Sequence, residues 1–276
     1  MKLLRPSSLA ALEPASNTLL LAGGTELVPL LRDGLVEADA LVDLAALVPR
    51  GVEGTRIGAG ATLAELESHP AVPDALREAC RLAASPQLRN RATIGGNLLQ
   101  STRCWYWRLG FPCRLHGGDA CHARDGEHRE HAIFANGFCA SAHPSDPAAA
   151  LLALGATVRT TRRELPLAEL YRVPDAGDRR TTTLAAGEVI LELDVPAPEA
   201  SAYLKATDRK RFAFPLVGVA AARTAAGERR VALAGVAPLP WLLDENGLDT
   251  ATPLPGTAFK VEVARALVGR AIAALA

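Results

Sequence analysis

No stretch of about 18 consecutive apolar residues occurs in the 276-residue sequence, which excludes a membrane-spanning helix of ordinary length. Neither sign of charge is in excess. The 30 Lys and Arg are matched by 30 Asp and Glu, which excludes the broad basic field that nucleic acid or an anionic membrane surface requires. No G-x-G-x-x-G turn is present, so a Rossmann-type nicotinamide dinucleotide site is not supported. Lysine is scarce, at positions 2, 205, 210 and 260 only, and no internal repeat or low-complexity tract exists beyond a general richness in alanine. The opening MKLLRPSSLAALEPAS lacks the unbroken apolar stretch and small-residue cleavage site of a secretory signal. The expectation is a cytoplasmic protein without membrane insertion, unless a partner carries it elsewhere. Cysteine is also scarce and odd in number, at five, and a chain 49% hydrophobic of this length does not need disulfides.

What is present is unevenly placed. CWYWRLGFPCRLHGGDAC, residues 104–121, holds three of the five cysteines and two of the three tryptophans. With Cys139 the spacing is C-x8-C-x7-C-x17-C, and His116, His122, His128, His131 and His143 lie in or beside it. Four thiols suit a [4Fe-4S] cluster, which tolerates irregular spacing, or a structural zinc. A packed insertion with free thiols is the third reading. Zinc sites ordinarily pair their ligands in tight C-x2-4-C knuckles, and none is present here. Trp105, Tyr106 and Trp107 read as packing around the site, and the glycines of HGGDA as a turn that brings Cys113 and Cys121 together. Cys80 stands apart, on a helix over 71–84, and reads as a small core residue.

Before this segment the chain alternates short strands and helices. TLLLA (18–22) reads as a buried strand ending in Gly23-Gly24-Thr25, followed by a short helix, ELVPLLRD, that Gly34 stops. ALVDL (40–44) and TRIGAG (55–60) read as further strands, and Thr62 with Glu65 has the spacing of a capping box. A second paired glycine, in ATIGGN (92–97), precedes the cysteine segment. After it, Ser145 or Asp146 caps a helix that Pro147 opens and Gly155 closes, and ATVRTT is a strand. VPDAGDRRTTT (173–183) reads as an exposed linker. EVILELDVP, AYLKATDR, PLVGVAAART and RRVALAGVAP then give three or four strands, and FKVEVARALVGRAIAALA a closing helix, which together suggest a separate α+β layer.

Glycines at a strand-to-helix turn permit positive φ and let backbone N–H groups converge on an anion such as a pyrophosphate. One such turn is common; two are more specific. AGGTELVPLLRDG, LRNRATIGGNLLQ and HPSDPAAALLALGATV, in that order, resemble the FAD-binding subunit of the molybdenum hydroxylases, the family of xanthine dehydrogenase, carbon monoxide dehydrogenase and 4-hydroxybenzoyl-CoA reductase. YLKATDRKRFAFPLVGVAAA and VALAGVAPLPW are similar to that subunit's C-terminal domain, so the resemblance covers most of the chain.

The resemblance implies an α+β protein with a vanillyl-alcohol-oxidase-like (PCMH-like) FAD-binding fold of two subdomains over 1–172, then a smaller C-terminal α+β domain over 173–276. It implies that Ala22, Gly23, Gly24, Thr25 and Glu26, with Thr93, Ile94, Gly95, Gly96 and Asn97, bind the FAD pyrophosphate and neighbouring ribityl oxygens. Ser145 and Asp146 would hold ribityl or ribose hydroxyls, Leu191 would join the cofactor-binding set, and Lys205 would lie near the flavin, where a cation stabilises the reduced, anionic form. Glu26 departs from the commoner pattern, in which Asp or Ser follows GGT. The cysteine segment, about 101–143, reads as an insertion. It is similar to the four-cysteine [4Fe-4S] insertion of 4-hydroxybenzoyl-CoA reductase and certain bacterial aldehyde oxidoreductases, with Cys104, Cys113, Cys121 and Cys139 as ligands. The implied activity is that of an oxidoreductase subunit that passes electrons between iron–sulfur centres and an external acceptor or donor. Its partners would be a molybdopterin-binding large subunit and a [2Fe-2S] small subunit. A free-standing flavin oxidase or reductase, and a zinc-stapled scaffold, are the other readings the residues allow.

Overall fold

The computed structural model describes residues 1–11, 17–210 and 212–276. Near the N-terminus β1 (Lys2–Leu4), β2 (Thr18–Leu21) and β3 (Ala40–Asp43) form a parallel sheet in the order β1-β3-β2. A parallel neighbour needs a crossover, and α1 (Leu27–Arg32) supplies it between β2 and β3. Gly34, at φ 68°, ends that helix as expected. The TLLL strand is half-buried along its length rather than buried.

A second, antiparallel sheet runs β4 (Val52–Glu53), β5 (Arg56–Gly58), β8 (Ile190–Asp194), β6 (Thr157–Thr160), β7 (Glu164–Pro166) in spatial order. Its central strand, β8, lies beyond the boundary expected at residue 172. Apolar, period-2 runs show that a strand exists but not which sheet it joins, and β8 pairs with β5 and β6 of the first region. Between β5 and β6 come α2 (Leu63–Ser68), α3 (Asp74–Leu82), α4 (Pro86–Arg89), α5 (Ile94–Leu98), α6 (Trp105–Arg108) and α7 (Asp146–Ala153); α8 (Leu167–Leu170) follows β7. The Thr62/Glu65 capping box forms at α2, with Glu65 N–H donating to Thr62 Oγ1 at 3.2 Å and Thr62 N–H to the Glu65 carboxylate at 2.6 Å.

A third sheet, antiparallel in the order β12-β11-β10-β9, comprises β9 (Ala200–Ala206), β10 (Val217–Arg223), β11 (Arg229–Ala234) and β12 (Trp241–Leu242). Helix α9 (Phe259–Ala273) packs on one face, and α3 and α7 on the other. That two-sided cover explains why β10 reads as a continuous apolar run: Val217 to Ala222 are all buried. All eight residues of α7 are buried as well, and its alanines let it lie close between its neighbours. Leu151 at its centre, fully buried, contributes about 2 kcal/mol by burial alone. Cys80, also fully buried, belongs to the same core.

The cysteine segment has little regular structure but is firmly anchored. Ile133 and Phe134 enter the core beneath α9 and donate their N–H groups to Val236 O at 2.7 and 3.0 Å, and Phe134 stacks on Trp241. Lys260 of α9, fully buried, donates to the carbonyls of Glu130, His131 and Gly235 at 2.8, 2.9 and 2.8 Å. The expected linker 173–183 is exposed at about half its positions and half-buried at most of the others, and Arg179 reaches back and donates to Arg114 O at 2.7 Å. Among the described residues no helix is long and apolar enough to cross a membrane.

Candidate functional site

The two paired-glycine segments meet. A Cβ on Gly23 would lie 1.9 Å from the carbonyl oxygen of Arg91, so only glycine lets the turn after β2 rest on the chain that leads into α5. Gly24 adopts φ +76°, a conformation side chains disfavour. Beside them opens a cavity of ≈ 310 Å³, lined by Ala22 to Glu26 on one side and by Thr93, Gly95 and Gly96 on the other. Leu44, Val48, Arg50 and the stretch from Glu188 to Ile190 also line it. None of these last residues belongs to a recognisable motif; they reach the cavity because β3 and β8 end beside it.

The two turns are not equivalent as anion binders. The N–H of Gly95 donates to Ala59 O at 2.9 Å, and that of Gly96 to the capping Thr93 Oγ1 at 3.2 Å. Among the described residues, the N–H groups of Gly23, Gly24 and Thr25 have no internal acceptor. The unclaimed donors therefore sit on the first turn, while the second supplies close packing: a Cβ on Gly95 would lie 2.9 Å from Ala59 Cβ.

A second cavity, ≈ 290 Å³, shares Thr25, Glu26 and Gly96 with the first and continues past Asn97 and Asp146 to Phe212 and Phe214. Both phenylalanines are exposed at its rim, at 53% and 47%, and the Arg103 guanidinium stacks over Phe214 at 4.5 Å. The HPSD residues behind it are occupied internally. Ser145 accepts from Ala148 N–H at 3.0 Å as the cap of α7 and donates to Asn97 Oδ1 at 2.5 Å. Asp146 accepts from Tyr203 Oη at 2.5 Å and from Lys205 Nζ at 2.8 Å. Burial pushes the Asp146 carboxyl above its ordinary range, against Lys205 and Tyr203, which hold it down.

Lys205, Ile94 and Leu191, of the expected cofactor-binding set, line neither of these two cavities. Lys205 lies at neither cavity wall; its side chain is 3% exposed, and its other two hydrogens go to Leu82 O at 3.0 Å and Ala213 O at 2.8 Å. Ile94 is fully buried in the main core, where the apolar side of α5 must go. Leu191 packs with Val42, Leu44 and Val189 behind the first cavity rather than lining it.

The four clustered cysteines converge on one small cavity, together with Tyr106, Trp107 and His122. HGGDA makes the expected turn: Gly117 has φ 95°, a Cβ on Gly118 would strike Pro112 O, and Cys113 bridges to Ala120 beside Cys121. Burial pushes the Cys104 thiol up to about 11, and the hydrogen bond from Cys139 holds Cys121 well below the usual thiol range. His131 Nε2 lies 3.2 Å from Cys104 Sγ, and its ring meets Trp105 edge-on at 5.2 Å. Among the described residues no three His, Cys, Asp or Glu side chains are arranged to hold a single metal ion.

Glu26 joins these regions. Its carboxylate accepts from Ser101 N–H at 3.1 Å, Arg103 Nη2 at 2.6 Å and Arg108 Nη2 at 2.5 Å, so the glycine turn is tied to the start of the cysteine segment.

Residues 2–198 match the family model described as the FAD binding domain in molybdopterin dehydrogenase. The chain is 37% identical over 242 residues to the aldehyde oxidoreductase FAD-binding subunit PaoB of Escherichia coli (strain K12), covering 81% of this chain and 76% of that protein. It is 28% identical over 215 residues to the nicotinate dehydrogenase FAD-subunit of Eubacterium barkeri, covering 72% of this chain and 58% of that one. A solved structure of reconstituted CO dehydrogenase from Oligotropha carboxidovorans has the same fold, with a TM-score of 0.70 at 22% identity over 99% of this chain and 96% of that one.

Proposed function

The chain belongs to the family of FAD binding domains in molybdopterin dehydrogenases, and we propose that it is the flavin- and [4Fe-4S]-bearing electron-transfer subunit of a molybdenum hydroxylase complex. FAD supplies one- and two-electron exchange, which no amino-acid side chain of this site offers. The reading rests on one observation above all: three unclaimed N–H groups at Gly23, Gly24 and Thr25 line the first cavity, and Thr25 lines the second as well. These donors would hold the diphosphate, the mainly apolar first cavity one end of the dinucleotide, and the cavity between Arg103 and the two phenylalanines the ring at the other.

Four thiols around one aromatic-walled cavity are a donor set that fits an iron–sulfur cluster, with Cys104, Cys113, Cys121 and Cys139 as ligands. Trp107 and Tyr106 would keep water from it, and His131 N–H would donate to the Cys104 sulfur. The parallel and antiparallel sheets would be the two subdomains of a vanillyl-alcohol-oxidase-like FAD fold, and β9 to β12 with α9 the smaller C-terminal domain. A molybdopterin-binding large subunit and a [2Fe-2S] small subunit would be its partners, with an external electron acceptor or donor. Among the described residues no group is assigned to substrate carbon chemistry, and the substrate would be bound by the large subunit.

Gly24→Val tests the flavin site. The valine must take φ near +76°, and its Cβ would lie 3.3 Å from Val28 Cγ2 and 3.5 Å from Leu21 Cδ1, so the turn that carries the free N–H groups must shift. The expected result is a folded chain with FAD binding weakened at least about tenfold, given the loss of one or more charge-assisted backbone bonds. A folded variant with full flavin occupancy would remove the turn from the site.

A further inference from the structure

The carboxylate of Glu26 does more than neutralise a neighbour. Its three donors bracket Cys104 in the chain: Ser101 and Arg103 precede it, and Arg108 ends the helical turn that Cys104 opens. Each arginine makes a further bond within the segment. Arg108 Nε donates to Thr102 O at 2.9 Å, and Arg103 Nη2 to Gln100 Oε1 at 2.9 Å. The segment from 100 to 108 is thus one hydrogen-bonded frame around the first cysteine, and Glu26 fastens that frame to the flavin turn.

Location gives the contact weight. The Glu26, Arg103 and Arg108 side chains are 18%, 28% and 19% exposed, so salt and water screen them less than a surface pair. Burial pulls the Arg103 guanidinium below its ordinary range and Glu26 opposes that pull, so losing the carboxylate leaves a poorly solvated cation beside another. Length matters too. Aspartate at this position is one methylene shorter and cannot span three donors from the same backbone, which gives a physical reason for the glutamate that follows this GGT.

We propose that Glu26 is a positioning residue that couples the two cofactor sites, so that FAD on the 23–25 turn and an iron–sulfur cluster at Cys104 each strengthen the binding of the other. The inference rests on the assignment of both cofactors given above. The turn backbone that would receive the diphosphate carries residue 26 directly, so fixing one fixes the direction of the other. Through the three bonds the Cys104 frame is fixed as well. Linkage makes the effect reciprocal: whatever the cluster adds to FAD affinity, FAD adds to cluster retention by the same factor.

The experiment measures FAD affinity of the full chain by flavin fluorescence quenching, anaerobically, before and after iron is stripped by a chelator. Wild type should bind FAD about tenfold more weakly once iron is removed, within the usual range of intersite coupling. Glu26→Gln keeps the side-chain size and removes the charge; it should bind FAD about tenfold more weakly when iron-loaded and show no further loss on stripping. Arg108→Gln should lose the coupling in the same way, and it carries the test if the Glu26 variant does not fold. A residue with a structural role alone would weaken FAD equally in both iron states. The inference is overturned if wild type holds both cofactors with an FAD affinity indifferent to iron, or if both variants keep the full iron dependence. Failure of wild type to take up flavin or iron would instead overturn the proposed function, and the inference with it.

Discussion

Lys205→Met removes an ammonium whose three hydrogens go to Asp146, Leu82 O and Ala213 O. Both members of the ion pair are 3% exposed, so water cannot replace the lost partner. Asp146 then keeps only the Tyr203 hydroxyl and must stay charged without a counterion or take up a proton. Protonating a carboxyl of ordinary pKa 3.8 at pH 7 costs about 4 kcal/mol at 1.36 kcal/mol per unit, and that route caps the penalty on Asp146. The result agrees with the roughly 3–5 kcal/mol lost when one partner of a buried pair is deleted. The penalty carries a sign in pH: each unit of acidification makes the proton about 1.4 kcal/mol cheaper, so the deficit should shrink by about 2 kcal/mol between pH 7 and pH 5.5. Adding Asp146→Asn should recover most of the loss, because no charge is then buried. Urea unfolding followed by circular dichroism at the two pH values measures all three quantities. A loss under about 1 kcal/mol, or one indifferent to pH, would mean that Lys205 is not the buried staple described.

Cys113→Ser should abolish iron and acid-labile sulfide while leaving much of the FAD bound, measured by metal analysis and flavin absorbance on the same sample; full iron retention would sink its assignment as a ligand. His143, 6% exposed, accepts from Ser145 N–H at 3.4 Å and is pulled down to about 4 by burial. Its proton must leave for the chain to fold, so its contribution is complete above about pH 6.5 and disappears as pH falls toward 4. That amounts to about 3 kcal/mol of acid sensitivity, which His143→Phe should reduce in unfolding curves taken across this range.

Local signals in the sequence translated well into structure. The Thr62–Glu65 box, the Ser145 cap, Gly34 and Gly155 at helix ends, and the HGGDA turn all depend on residues within a few positions of one another, and all are found. Less legible was what distant chain segments do to one another. β8 reads as the first strand of a later domain because its apolar pattern does not record its neighbours. Lys205 shows where a local clue existed. Ser201, Tyr203 and Lys205 alternate along β9 and share one face. That face meets α3 and α7, where Ser201 accepts from Ala75 N–H and the other two bind Asp146. The alternation rule would have placed the lysine inward, away from solvent. Glu26 offered no such clue, since its partners lie about eighty residues away in a segment with little regular structure. The place of Phe212 and Phe214 at the rim of the second cavity was likewise invisible until the fold brought Phe214 under Arg103.

The proposed function gives one chain both a flavin and a four-cysteine cluster. It is tested most directly by anaerobic preparation of this chain with whatever subunits accompany it, quantifying flavin, iron, acid-labile sulfide and zinc per copy. The expected result is about one FAD, and about four iron and four sulfide beyond those of any [2Fe-2S] partner. FAD without the extra iron would return Cys104, Cys113, Cys121 and Cys139 to zinc ligands or packing, and a preparation without flavin would contradict the account from the first glycine turn onward.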